Sequence, residues 1–138
     1  NSGWDTKKNG LFLKDICSIF RSAGIRTSIF IDPNPEMIKY AAETGCDRIE
    51  LYTEAYASGY SGGREAAISL YVKDSVTAVV FGLCINAGHD HLLDNLMYFC
   101  DTIPYTAEVS IGHALICDAI YLGLENTIQS YLRQLKKY

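Results

Sequence analysis

Leu83-Cys84-Ile85-Asn86-Ala87-Gly88-His89-Asp90 is an apolar, β-prone run that stops abruptly in polar groups and a glycine. Further along, Val109-Ser110-Ile111-Gly112-His113 closes in the same way. Two strands that each end on Gly-His set imidazoles and backbone N–H groups side by side, provided that the strands are parallel neighbours. Everything else in the chain is read outward from that condition.

Upstream, Leu13, Ile16, Cys17 and Phe20 recur at helical spacing and predict a helix over 11–23 that stops at Gly24. A strand over 25–32 follows, with Thr27, Ile29 and Ile31 on one face and Ser28, Phe30 and Asp32 on the other. Asn34 suits a cap and Pro35 a first helical position, opening a helix through Met37, Ile38, Ala41 and Ala42 that ends at Gly45. The second strand, 48–53, puts Ile49 and Leu51 on one face, Glu50 and Tyr52 on the other. Residues 56–63 are rich in Gly, Ser and Tyr and read as a loop, either a lid or a plain turn. Their Gly59-Tyr60-Ser61-Gly62-Gly63 lacks the Gly-Lys-Ser/Thr ending of a nucleotide loop. A long helix over 64–81 is expected to hide Ala67, Leu70, Tyr71, Val76, Val79 and Val80, and Gly82 ends it.

Strand three is expected over 83–87, a shorter helix over about 93–101 that stops before Pro104, and strand four over 107–111. The remainder splits at Gly123 into helices over 113–122 and 124–137, the second with Ile128, Leu132 and Leu135 facing inward. Arg133, Lys136 and Lys137 end that helix, where cations suit its dipole.

The order is one helix and then four β-α units, the spacing of right-handed parallel crossovers, so the chain is an α/β protein. Two architectures fit: a small doubly wound sheet, or the second half of a (β/α)8 TIM barrel. In a covered open sheet both strand faces should be apolar. Here one face is small or polar: Ser28 and Asp32, Glu50 and Tyr52, Cys84 and Asn86, Ser110 and Gly112. Those groups belong inside a barrel, near the carboxyl ends of its strands. The reading is therefore a single domain, 1–138, forming the C-terminal half of such a barrel. An isolated half leaves two edge strands unpaired. Asn1-Ser2-Gly3-Trp4-Asp5 reads like the middle of a loop, so more polypeptide is expected upstream of Asn1.

The 138 residues are 49% hydrophobic and 20% charged, enough for one proper core. A net charge of −4, without a larger basic cluster, argues against a nucleic-acid partner. Cys17, Cys46, Cys84, Cys100 and Cys117 are odd in number and contain no Cys-x-x-Cys pair, so they read as reduced core residues of a cytoplasmic protein. No apolar stretch approaches the roughly 18–20 residues of a membrane span.

Glu50 is the first chemical candidate, because a carboxylate facing a barrel interior costs several kcal/mol unless paired, neutralised or functional. The alternative is a structural ion pair with a basic residue of an unseen strand. His89 suits a general acid or base, imidazole titrating near neutrality, or else a hydrogen-bonded loop residue. Gly112 and His113 offer backbone N–H groups at a helix N-terminus, a place where dipole and free donors attract phosphate. His89-Asp90-His91 is a poor metal site, since adjacent loop residues rarely converge on one ion; Asp90 reads instead as helping to start the next helix.

Four motifs together carry a resemblance. Ser28-Ile29-Phe30-Ile31-Asp32, Asp47-Arg48-Ile49-Glu50-Leu51-Tyr52-Thr53, Asn86-Ala87-Gly88-His89 and Ser110-Ile111-Gly112-His113-Ala114 resemble, in order and spacing, the second half of pyridoxine 5'-phosphate synthase. The resemblance implies a (β/α)8 barrel that condenses 1-deoxy-D-xylulose 5-phosphate with 3-amino-2-oxopropyl phosphate, releasing phosphate and water. It implies no metal or organic cofactor, and symmetric homo-oligomers. By motif, His89 is the proton donor, Glu50 the group that stabilises transition-state charge, and Gly112 and His113 bind the phosphate of the amino-ketone substrate. Asp90 follows the histidine where the family has glycine and also touches that substrate; its carboxylate would repel a phosphate, so only its backbone N–H serves or the side chain turns away. Tyr52-Thr53-Glu54 likewise departs from the family's His-Thr-Gly. The family's two other proton-transfer groups, a histidine and a glutamate, belong to the half that precedes these residues.

Two rivals stay open. Another phosphate-binding barrel, an aldolase or isomerase, fits the phosphate turn, although no strand ends in a Schiff-base lysine. A non-catalytic half-barrel acting as an assembly module is the rival from outside enzymology.

Overall fold

The computed structural model describes residues 2–103 and 105–135. Its elements run α1 (Gly10–Ser22), β1 (Ser28–Ile31), α2 (Pro35–Glu43), β2 (Arg48–Tyr52), α3 (Glu54–Val80), β3 (Cys84–Gly88), α4 (Leu96–Thr102), β4 (Thr106–Ser110), α5 (His113–Leu122) and α6 (Leu124–Leu135). The four strands form one parallel sheet in chain order. Consecutive parallel strands with intervening helices match one arc of a (β/α)8 barrel.

One strand face carries the core. Ile29, Ile31, Ile49, Leu51, Ile85 and Ala87 are buried against the helices, together with Ile38, Ala41, Tyr56, Tyr71 and Phe99. Each fully buried Ile or Leu contributes about 1.5–3 kcal/mol. The opposite face carries a polar layer. Phe30, Glu50, Asn86 and Glu108 stand at one level of the register. Glu108 accepts from Arg48 at 2.8 Å, Arg26 at 2.9 Å and Asn86 at 3.2 Å, and Arg48 also donates to Asn86 at 3.1 Å. Burial alone would raise the Glu108 carboxyl, but the hydrogen bond and charge of Arg26, with Arg48 and Asn86, hold it below the usual range. The outer edge of β1 is met by Trp4, whose N–H donates to the Phe30 carbonyl at 2.8 Å.

Local signals work as expected at several ends. The Asn34 side chain accepts from the Glu36 N–H ahead of Pro35, and Gly24, Gly45, Gly82 and Gly123 all adopt positive φ where helices stop. No helix among the described residues is long and apolar enough to cross a membrane.

Four expectations are corrected. Residues 56–63 are not a loop: α3 begins at Glu54 and continues to Val80, with a kink at non-helical Gly63. Burial of Tyr56 against Tyr60, Tyr71 and Phe99 overrides the weak helix propensity of Gly and Ser there. The inward face of α3 is Ile68, Tyr71, Asp74, Ser75 and Ala78, while Leu70, Val76, Val79 and Val80 are exposed. On α6 the buried residues are Thr127 and Tyr131, with Leu135 packed nearby, whereas Ile128 and Leu132 are largely exposed. The Thr127 hydroxyl bonds the Gly123 carbonyl and the Tyr131 hydroxyl bonds Asp118, so a polar face can be buried once its donors are satisfied. Cys17, Cys46 and Cys100 are buried, but Cys84 and Cys117 are exposed, as is much of Phe20. The readings placed on Asn1, Pro104, Lys136 and Lys137 lie outside the described residues.

Asp74 lies wholly buried, and neither carboxylate oxygen has a hydrogen-bond partner among the described residues. Burial pushes its carboxyl up to about 6 from an ordinary 3.8. The folded state therefore binds this proton more tightly than the unfolded chain, so stability falls as pH rises from about 4 to about 6 and then levels off. Asp74→Asn is expected to raise unfolding stability by about 2 kcal/mol at pH 7.5 and by little at pH 4. Denaturant titrations at both pH values check this; an equal effect at both would contradict it.

Candidate active site

β3 and β4 are parallel neighbours with Gly88 opposite Ser110, so the two Gly-His turns emerge side by side at the carboxyl end of the sheet. Between them lies a pocket of about 700 Å³ whose lining includes His89, Asp90, Ser110, Gly112 and His113. Gly112 is the N-cap of α5 and His113 its first residue, and no acidic side chain occupies the first turn to compete for its N–H groups. Both residues are exposed to the pocket side. A helix start of this length, with free donors, attracts an anion.

Glu50 is not part of that lining. It reaches the site from beneath, on the barrel-interior face of β2, with its Oε1 3.8 Å from His89 Nδ1; the side chains are 21% and 43% exposed. Among the described residues His89 is the only non-glycine with positive φ, at 69°. That conformation turns the ring back over the strand ends, where it packs against Phe30 at 4.9 Å and edge-on against Tyr52 at 5.7 Å. A partly exposed imidazole beside a carboxylate, at the rim of an anion pocket, is equipped to pass protons to a bound phosphate ester.

Gly88 makes this approach possible. A Cβ there would collide with the Glu50 carboxylate, and its carbonyl accepts the Thr53 hydroxyl. Gly88→Ala is expected to cost about 1–3 kcal/mol by overpacking. Glu50→Asp shortens the intruding side chain, so the double variant should recover most of that loss. Additive unfolding energies in the four-member cycle would sink the contact argument.

His91 also lines the pocket, but its ring is packed into the core. His91 is buried against Phe99 at 4.8 Å and Tyr56 at 6.1 Å, and burial pushes its imidazole down to about 4, so it is neutral at pH 7. Asp90 does not start the next helix. Asn95 occupies the N-cap of α4, but its side chain turns back onto the loop instead of capping, so residues 91–95 are an irregular turn.

The match to known proteins decides the family. A model of the pyridoxal phosphate biosynthesis protein PdxJ matches residues 1–137. The pyridoxine 5'-phosphate synthase of Cytophaga hutchinsonii is 56% identical over 137 residues, 99% of this chain and 58% of that protein. The proteins of the same name from Bacteroides thetaiotaomicron and Christiangramia forsetii are 57% identical over 131 residues and 54% over 136. They are covered to 55% and 57% of their lengths, against 95% and 99% of this chain. The chain belongs to the PdxJ family. It spans little more than half the length of the curated relatives it matches. As a PdxJ member it is an arc of a TIM-barrel family, in agreement with its four parallel β-α units.

Within this PdxJ chain the sequence reading missed several residues that shape the site. Arg48 and Glu108 share strand parity with Glu50 and Ser110, so alternation alone would have placed them inside. Phe30 shares that parity too, and Tyr52, the second ring against His89, stands on the inner face that its alternation predicts. Tyr56 and Asn95 gave no such signal, because their roles depend on contacts between separate elements.

Proposed function

We propose that these residues are the C-terminal half of a single-domain pyridoxine 5'-phosphate synthase, acting on 1-deoxy-D-xylulose 5-phosphate and 3-amino-2-oxopropyl phosphate. The observation that carries the reading is the pairing of His89 with Glu50 at the rim of the pocket that ends on Gly112 and His113. In this reading the phosphate of the amino-ketone sits on the N–H groups of Gly112 and His113. The backbone N–H of Asp90 adds to it, while the Asp90 carboxylate stays turned away. An imine joins amine and ketone, eliminations release water and phosphate, and ring closure with aromatisation follows. His89 donates the proton that makes an oxygen a good leaving group, and Glu50 stabilises cationic or enol intermediates beside it. The other proton-transfer groups and the sugar-phosphate site belong to the preceding half. The protein works in the cytoplasm as a homo-oligomer.

The test is pyridoxine 5'-phosphate formation by the full-length protein from the two phosphorylated substrates. Product, with one equivalent of phosphate released per ring, is the expected outcome. A folded full-length protein that makes none would end the synthase reading.

A further inference from the structure

We infer that Asn95 is a positioning residue for His89, acting through the loop of residues 89–92. The inference rests on His89 being the proton donor proposed above. Asn95 is 2% exposed and lies at the junction of this loop with α4. Its Oδ1 accepts the Leu92 N–H at 2.9 Å and its Nδ2 donates to the Asp90 carbonyl at 3.4 Å. Its own carbonyl accepts the hydroxyl of buried Tyr56 at 2.6 Å. One side-chain amide therefore satisfies both a donor and an acceptor of a loop that no sheet or helix ladder can serve.

The loop needs such a clamp. His89 holds a left-handed backbone, uncommon for a non-glycine residue even though histidine tolerates it better than most, and that conformation is kept where the surroundings hold it. On the N-terminal side the chain is fixed by β3 and by the Thr53 hydroxyl on the Gly88 carbonyl. On the C-terminal side the fixed points are Asn95 and the His91 ring wedged between Phe99 and Tyr56. Tyr56 carries the restraint into α3, whose Tyr71 bonds the Tyr52 carbonyl at the end of β2. The loop bearing His89 and the strand end bearing Tyr52, one of the rings against it, are thus tied to the same helix. Asn95 itself does not line the pocket, and Gly112 and His113, the main phosphate donors proposed above, stand on a different element, so the clamp touches phosphate binding only through the backbone N–H of Asp90.

Two readouts in the full-length protein test this. Hydrogen exchange at the Leu92 amide is expected to accelerate at least tenfold in Asn95→Ala while amides of β2 and β3 keep their protection; in Asn95→Asp, which retains the acceptor, it stays slow. In steady-state assays kcat is expected to fall about 10- to 100-fold in Asn95→Ala, the range that a misplacement of about 1 Å produces, with KM for the amino-ketone phosphate within threefold. Asn95→Asp should lie between parent and alanine variant. A lowered melting temperature with kcat unchanged, or a Leu92 amide that stays protected in Asn95→Ala, overturns the inference. If Asn95→Ala does not fold, Tyr56→Phe and Asn95→Asp decide: a severalfold lower kcat supports the clamp and an unchanged one refutes it. A parent protein that makes no product ends the synthase reading instead, and the exchange data still decide whether Asn95 holds the loop.

Discussion

His89→Ala in the full-length protein is expected to lower kcat about 10³-fold while moving the melting temperature by no more than a few degrees. The size follows from the role proposed for it, since a positioned general acid contributes roughly 10²–10⁴-fold. The small stability effect follows from the place: the ring is 43% exposed and its carboxylate neighbour is 3.8 Å away, too far and too wet for a strong ion pair. Alanine also inherits a backbone at φ 69°, which it tolerates less well than histidine does. A second variant separates the two effects. His89→Asn suits the left-handed conformation and keeps the loop in shape, but has no proton to give. Both variants should be equally inactive in pyridoxine 5'-phosphate formation. Substantial activity in the asparagine variant would mean that residue 89 shapes the loop and that the proton comes from elsewhere.

The strands and their two faces were legible because alternation is a local property. Ile49 and Leu51 went to the helices and Glu50 and Tyr52 to the interior, as their parity required. The turn into α5 was legible for the same reason, with Gly112 and His113 starting that helix where the sequence placed it. The helix faces were not. Val76, Val79 and Val80 look inward by hydropathy, but the face of α3 is chosen by Tyr56 and Tyr71, whose hydroxyls find the Asn95 and Tyr52 carbonyls. Helix propensity failed at residues 56–63 because the aromatic contacts that stabilise that segment come from α4 and from the far side of the Gly63 kink. The Glu50–His89 pair was half legible. Each residue stood out alone, but their meeting depends on the β2–β3 register, with Tyr52 opposite Gly88, and on the backward turn of His89. No local pattern encodes a register set by the packing of whole strands.

Glu50→Gln is expected to reduce kcat about 10²-fold with KM nearly unchanged, and it discriminates between the two origins of a carboxylate inside a barrel. Glutamine keeps the length and planarity of the side chain over Gly88, where even one added carbon would collide with it, so packing is preserved and only charge is lost. If the charge serves catalysis, the loss falls on the transition state, of the size seen when one preorganised electrostatic partner is removed. If Glu50 is instead a structural ion-pair partner, the loss falls on stability. The described residues favour the first outcome: Arg48, the cation on the same strand, is already engaged by Glu108 at 2.8 Å, and Glu50 Oε1 stands 3.8 Å from His89 Nδ1 at the site. A Glu50→Gln protein that unfolds several degrees earlier yet turns over at the parent rate would return this carboxylate to the barrel's architecture.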